Sequence, residues 1–262
     1  MQNISDEVRR VAFSDYDLSD KELPAFLVTK FMQLRVLDIS DSCFGELARS
    51  LGQLKYLRYL DVSANGSIKE LPDSINKLLP TDIGNLISLR HLHINTKQAC
   101  FPDKTIGCLS SLRSFYIHSC KSLVSLSEGL QYLTSLRALA IIVCPGLTFS
   151  PSAMKHLTAS ENILIVDCEE LTLLEWQDIE GLRMIRSLVI GGLPELESKD
   201  VHCLRSLQML VLAGLPQLVT LRRWLEGAST TLQYLRVERC PKFAALPKWM
   251  ENLTTLEKLE IS

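Results

Sequence analysis

Ser111-Leu112-Arg113-Ser114-Phe115-Tyr116-Ile117-His118-Ser119-Cys120 is followed by Ser135-Leu136-Arg137-Ala138-Leu139-Ala140-Ile141-Ile142-Val143-Cys144, and a degenerate third copy closes with Ile163-Leu164-Ile165-Val166-Asp167-Cys168. The three cysteines are 24 residues apart, and Cys240 falls on the same beat three periods later. The shared template is Leu-x-x-Leu-x-Leu-x-x-Cys. Its alternation predicts a short strand with one buried face, and the cysteine is expected to turn the chain inward at the strand's end. One such coil cannot bury its leucines alone, so the coils must stack.

Working outward, the template finds eleven coil starts: Val8, Leu34, Leu57, Leu89, Leu112, Leu136, Ser160, Ile185, Leu207, Leu232 and Leu256. Most are 22 to 26 residues apart, the spacing of a leucine-rich repeat. The predicted fold is therefore α/β: a leucine-rich-repeat solenoid, or horseshoe, with a concave parallel sheet and an irregular or short-helical convex side. One such domain is expected over residues 1–262. Ser160 breaks the leucine rule, while Ile163, Ile165 and Cys168 keep the register.

The chain leaves each strand through a second motif, as in Cys144-Pro145-Gly146-Leu147 and Cys240-Pro241-Lys242-Phe243. Proline there fixes φ and stops the strand. The return limb often reads like Leu246-Pro247-Lys248-Trp249-Met250-Glu251-Asn252-Leu253, expected as a short helical or 3₁₀ turn. Between Leu57 and Leu89 this limb occurs twice in succession, over residues 71–86. Either a longer convex loop or the remnant of a lost coil accounts for it. Both leave an enlarged convex excursion and adjacent strands on either side.

An apolar fraction of 47%, with 12 glycines and 10 prolines, describes a folded chain. The formal net charge of −2 gives no reason to expect nucleic acid or an anionic membrane as partner. No stretch is apolar for long enough to span a bilayer, and Met1 to Glu7 lacks the features of a signal peptide. Four of the eight cysteines share one inward repeat position, so buried free thiols and a reducing compartment are expected. The sequons at Asn3, Asn65 and Asn252 raise an extracellular receptor as a third class. Asn65 sits at an inward position that a glycan could not occupy. Neither end shows the polar cap of a solenoid, so a piece of a longer protein or a truncated product is expected.

The Cys-Pro-x-Leu turns, the run from Leu79 to Leu92, the run from Cys240 to Ile261 and the opening Ser5-Asp6-Glu7-Val8-Arg9-Arg10-Val11 carry a family resemblance. Together they resemble the leucine-rich region of plant intracellular disease-resistance proteins of the coiled-coil/nucleotide-binding/leucine-rich type. That resemblance implies a cytoplasmic module that senses a pathogen effector or a guarded host protein and restrains a nucleotide-binding switch. The switch would be supplied in cis or in trans, because this chain has no Gly-x-x-x-x-Gly-Lys-Ser/Thr phosphate loop. The other reading is an intracellular scaffold tethering signalling proteins. Irregular spacing and missing caps favour the first.

No catalytic motif is present, and neither enzymatic activity nor a cofactor is expected. His91 and His93 share a strand face, but without a third ligand they read as recognition histidines rather than a metal site. Counting from each opening leucine, the second position carries Arg35, Arg58, Arg90, Arg113 and Arg137. This column is either solvated, with stems packed on the sheet, or an interdomain basic stripe, which the resemblance favours. The fifth, seventh and eighth positions should line the concave face. They run from Asp15, Asp38, Asp41 and Asp61 through His93 and Tyr116 to Ala140, Ile142, Val143, Leu164, Val166, Val189 and Val211. The apolar stretch is expected either to bind a partner protein or to lie under a loop.

Overall fold

In a computed structural model the chain is described over residues 8–13, 30–40, 49–63, 86–100, 106–126, 128–148, 154–171, 182–193, 204–221 and 223–262. Every predicted coil start leads, two residues on, into a strand. The strands are β1 (Arg10–Ala12), β2 (Val36–Asp38), β3 (Tyr59–Val62), β4 (His91–Ile94), β5 (Ser114–His118) and β6 (Ala138–Ile142). They continue with β7 (Asn162–Val166), β8 (Ser187–Gly191), β9 (Met209–Ala213), β10 (Tyr234–Glu238) and β11 (Lys258–Ile261). All eleven form one parallel sheet in chain order, so the solenoid advances by one strand per coil.

Local backbone bonds explain why each strand begins where it does. In the eight coils that open from Leu34 to Leu207, the N–H of the opening residue donates to the carbonyl three residues earlier, as in Leu57 to Leu54 (2.9 Å), Leu112 to Leu109 (2.9 Å) and Leu136 to Leu133 (3.0 Å), whereas Leu232 N donates to Ala228 O (2.9 Å). This turn buries both of its apolar ends and aims the chain along the sheet. The second-position carbonyl then accepts two N–H groups from the next coil. Arg35 O takes Arg58 N (2.8 Å) and Tyr59 N (3.0 Å), and Arg113 O takes Arg137 N (2.8 Å) and Ala138 N (2.9 Å). The same pair recurs from Arg9 to Gln233 and fixes the register.

The fourth and sixth positions of each coil form the continuous core. Leu60, Leu92, Phe115, Leu139, Ile163, Leu188, Leu210 and Leu235 are all 3% exposed or less. The exceptional Ser160 is also fully buried, and its hydroxyl donates to the Leu136 carbonyl at 3.0 Å. The cost of a buried hydroxyl is thus offset by a hydrogen bond between coils. Cys120, Cys144 and Cys168 are buried and free, whereas Cys240 is half-buried. The Thr96 N–H donates to Cys120 Sγ at 3.2 Å. Hydrogen bonding with Cys120 pushes the Cys144 thiol up to about 11, and hydrogen bonding with Cys144 together with burial pushes Cys168 up. These two are protonated at neutral pH and poor nucleophiles.

The turn inward at the strand's end differs from the sequence expectation. The residue before the cysteine makes it, in the left-handed conformation: Ser119, Val143, Asp167 and Arg239 have φ of 51° to 55°, with Gly192 and Gly214 at 61° and 58°. Val143, expected as a concave-face residue, therefore occupies the turn. The strand has ended at Ile142, and the chain must reverse its pleat to bury Cys144. A β-branched residue is a true outlier in this region.

Leu60 pairs directly with Leu92, so β3 and β4 are neighbours and no strand intervenes between them. Apart from Leu86, the expected excursion over 71–86 lies outside the described residues, as do Asp15, Asp41 and Asn65. Among the described residues the return limbs carry 3₁₀ turns at Arg49–Gln53, Glu128–Tyr132, Arg223–Ala228 and Lys248–Asn252.

The left-handed turn gives the first testable outcome. A Cβ on Gly192 would lie 3.1 Å from Asp167 Cα and strike its carboxylate, at a φ of +61°. Gly192→Ala is expected to lose about 1–2 kcal/mol. At Gly146 the nearest atom is a carbonyl oxygen at 3.7 Å, so Gly146→Ala should unfold at or slightly above the wild-type denaturant midpoint. Equal loss at both sites would contradict the turn assignment.

Candidate functional site

Alternation along each strand presents the third, fifth and seventh positions on the open face of the sheet. Register then stacks like positions into columns. The fifth-position column runs Asp38, Asp61, His93, Tyr116, Ala140, Leu164, Val189, Val211, Arg236 and Glu260. This face has three chemically different zones.

The first zone, on β3 to β5, is an acid–imidazole–tyrosine cluster centred on Asp61. Sequence reading treated Asp61 as one of several exposed early acids, yet it is only 8% exposed. Tyr59 Oη donates to Asp61 Oδ2 (2.9 Å) and His93 Nδ1 lies 3.0 Å from the same oxygen. The Ser63 hydroxyl (2.6 Å) and N–H (2.9 Å) donate to Oδ1. Burial alone would raise this carboxyl, but the bonds from His93, Ser63 and Tyr59 outweigh it and hold the group down at about 2. An ionised carboxylate only accepts, so His93 must carry its proton on Nδ1 when neutral, leaving Nε2 as acceptor. Desolvation and the hydrogen bond to Asp61 push Tyr59 upward.

Aromatic contacts complete the cluster. The rings of His93 and Tyr116 meet edge to face at 4.4 Å, and Tyr59 meets His93 at 5.3 Å. His91 Nδ1 lies 3.1 Å from Ser114 Oγ on β5, while His93 bonds back to β3. The two imidazoles are thus tied to opposite neighbouring strands rather than turned toward a shared ion. Desolvation, followed by the charges of His93, Arg113 and Arg90, lowers the pKa of His91. Among the described residues, no three His, Cys, Asp or Glu side chains converge as a metal site.

The second zone, on β6 to β9, is apolar. Ile142, Leu164, Val166, Val189 and Val211 are all partly exposed on this face. Two expected members are corrected. Ala140 is 1% exposed, because its methyl lies between the larger Tyr116 and Leu164 in register. Val143 borders the zone from the turn. Gly191 and Ala213 take the seventh position where β7 carries Val166.

The third zone, on β10 and β11, is charged and internally paired. Arg236 bonds Glu238 and lies 3.7 Å from Glu260; Arg239 reaches Glu238 at 3.0 Å, and Lys258 reaches Glu260 at 2.7 Å. The Tyr234 hydroxyl donates to Glu260 at 2.6 Å.

The arginine column lies at the upstream rim of the same face, where its backbone forms the double-acceptor ladder. Arg35, Arg58, Arg113 and Arg137 are exposed and Arg90 is half-buried. Arg137 Nη1 is 3.7 Å from Glu161, the residue that interrupts the column. Among the described residues, the other four form no ion pair.

Sequence reasoning missed Tyr59 and Ser63, which make Asp61 a hub. The third position shares the fifth position's face by simple alternation, and that signal would have found Tyr59.

The family model for a leucine-rich repeat region matches residues 13–262. The chain belongs to that family, whose fold is consistent with a protein-interaction module. Among solved structures it is similar to a leucine-rich repeat protein of Leptospira interrogans (TM-score 0.62, 21% identity, 92% of this chain and 64% of that one). It is also similar to a plant peptide hormone receptor, RGFR1, in complex with RGF2 (0.65, 21%, 91% and 37%). A third likeness is to TLR13 in complex with ssRNA13 (0.66, 15%, 92% and 34%). The chain spans about two thirds of the first of these and about a third of the other two. At these identities the likeness is one of fold. No match was found among curated proteins. Among the described residues, no helix is long and apolar enough to cross a membrane.

The Asp61 cluster gives a pH test. A carboxyl held below its ordinary 3.8 contributes stability above pH 4 and loses it as pH falls toward 2. Asp61→Asn is expected to cost about 2 kcal/mol at pH 7. The gap between wild type and variant in urea unfolding should shrink between pH 4 and 2. A pH-independent gap would mean that the carboxylate's charge is not what the cluster uses.

Proposed function

We propose that this chain is the protein-recognition module of a plant innate-immune receptor. Its concave face takes a pathogen effector or a guarded host protein, and its early coils contact a nucleotide-binding switch. The observation that carries the reading is the apolar zone: five partly exposed aliphatic side chains on adjacent strands, bordered by polar groups already paired with one another. Burying such a surface is favourable by about 25 cal/mol per Å², and the paired groups on the β3–β5 side supply a polar rim.

The disease-resistance type rests on the sequence resemblance, and a cytoplasmic setting on that resemblance together with the free core cysteines. Arg35, Arg58, Arg90, Arg113 and Arg137 are the residues assigned to the nucleotide-binding domain. His91, His93, Tyr116, Ile142, Leu164, Val166, Val189 and Val211 are assigned to the recognised protein, with buried Ala140 as floor and Val143 as rim. The plant receptor captured with RGF2 offers a precedent for a repeat array of this fold holding a ligand.

Val166→Asp and Arg58→Glu form the test pair. Both side chains face solvent in part, so both variants should unfold within about 1 kcal/mol of wild type. Val166→Asp should weaken capture of the recognised protein more than tenfold. Arg58→Glu should leave that capture intact and weaken binding to the nucleotide-binding domain. Unfolding of Val166→Asp would show that the residue is core and the zone was never a binding surface.

A further inference from the structure

The apolar zone also constrains the shape of what it binds. This rests on its being a recognition surface. Strands are about 4.8 Å apart, so β6 to β9 span about 14 Å, and the third to seventh positions span about 13 Å along a strand. The resulting area, roughly 180 Å², is far below the ~800 Å² per partner of a stable protein interface. A second copy of the chain or the broad face of a folded domain would leave most of its contact on the paired polar flanks. The zone is sized for one secondary-structure element.

The backbone decides which element. Every strand from β2 to β10 is hydrogen-bonded to neighbours on both sides. An extended segment crossing them would find no free N–H or C=O and would desolvate its own backbone over aliphatic side chains. A helix satisfies its backbone internally. We propose that the occupant is an amphipathic α-helix of the partner protein, lying across the strands with its apolar stripe on Leu164, Val166, Val189 and Val211. About ten residues cover the apolar span at 1.5 Å per residue.

Val143 supplies an independent observation. Six described residues occupy the left-handed turn position, and five are Gly, Ser, Asp or Arg. The one β-branched residue, strained in that conformation, borders the apolar zone beside Ile142. Its side chain widens the surface at the expense of backbone strain, as expected of a contact residue.

The experiment uses the full chain and a displayed library of 18-residue peptides, half of a helix-forming design with a randomised stripe and half proline-interrupted. Selection on wild type should enrich the helical half, with apolar residues at i, i+3, i+4 and i+7. Those peptides should gain helical circular dichroism on binding and weaken at least tenfold with Val166→Asp. Val143→Asn should raise the thermal midpoint and weaken the same peptides. Enrichment of proline-interrupted peptides, of nothing, or of helices indifferent to Val166→Asp would overturn the helical occupant. The wider recognition reading would still stand in any of those cases if Val166→Asp, folded, lost the intact partner. It would fall with the inference if Val166→Asp unfolds, or if it folds and still captures the intact partner.

Discussion

A single backbone arrangement underlies everything else here: the second-position carbonyl of one coil accepts two N–H groups from the next. Ten such junctions hold eleven strands in parallel register, with no coil skipped. Parallel strands joined by long connections are entropically expensive to form. The turn that precedes β2 to β9 helps, because it buries apolar side chains before the long-range pairing is made. A coil whose register slipped by one residue would turn its Leu-x-Leu face outward and expose the core.

Register is also what turns a list of side chains into a surface. Asp61, His93 and Tyr116 come from three coils, separated by 32 and 23 residues of chain, yet register places them side by side. The same device sets Leu164, Val189 and Val211 in a row. The polar groups of the first and third zones are already bonded to one another. Satisfied groups hold shape, and the aliphatic zone between them retains the free energy that a partner can release. The proposed division of labour, with arginines at the upstream rim and aliphatics at the centre, follows from these two facts.

The fold was nearly all legible because the repeat is redundant: eleven noisy copies of one template identify the strands even where Ser160 or Val8 departs from it. The site was legible in part. Alternation gave the columns, so Leu164, Val166 and Val189 lie on the expected face. What the template could not show was the behaviour of particular side chains. Ala140 is hidden because its neighbours in register are a tyrosine and a leucine, a three-coil property. Asp61 was read as a solvated acid because its partners Tyr59 and His93 come from the same and the next strand. Val143 was placed on the face by counting, whereas the chain needs a left-handed residue there, and only Gly192 and Gly214 announce that in sequence.

The central claim is that strict alternation, held by the ladder, puts one set of side chains in the core and the next on the open face of the sheet. Site-resolved thiol labelling of three single variants, Leu164→Cys, Ile165→Cys and Val166→Cys, tests it most directly, with the modified peptide read by mass spectrometry. Ile165 is 1% exposed, while its two neighbours are partly open. The account predicts labelling of positions 164 and 166 in the native protein and of 165 only on unfolding. Equal labelling of all three, or protection of 166 with labelling of 165, would contradict it.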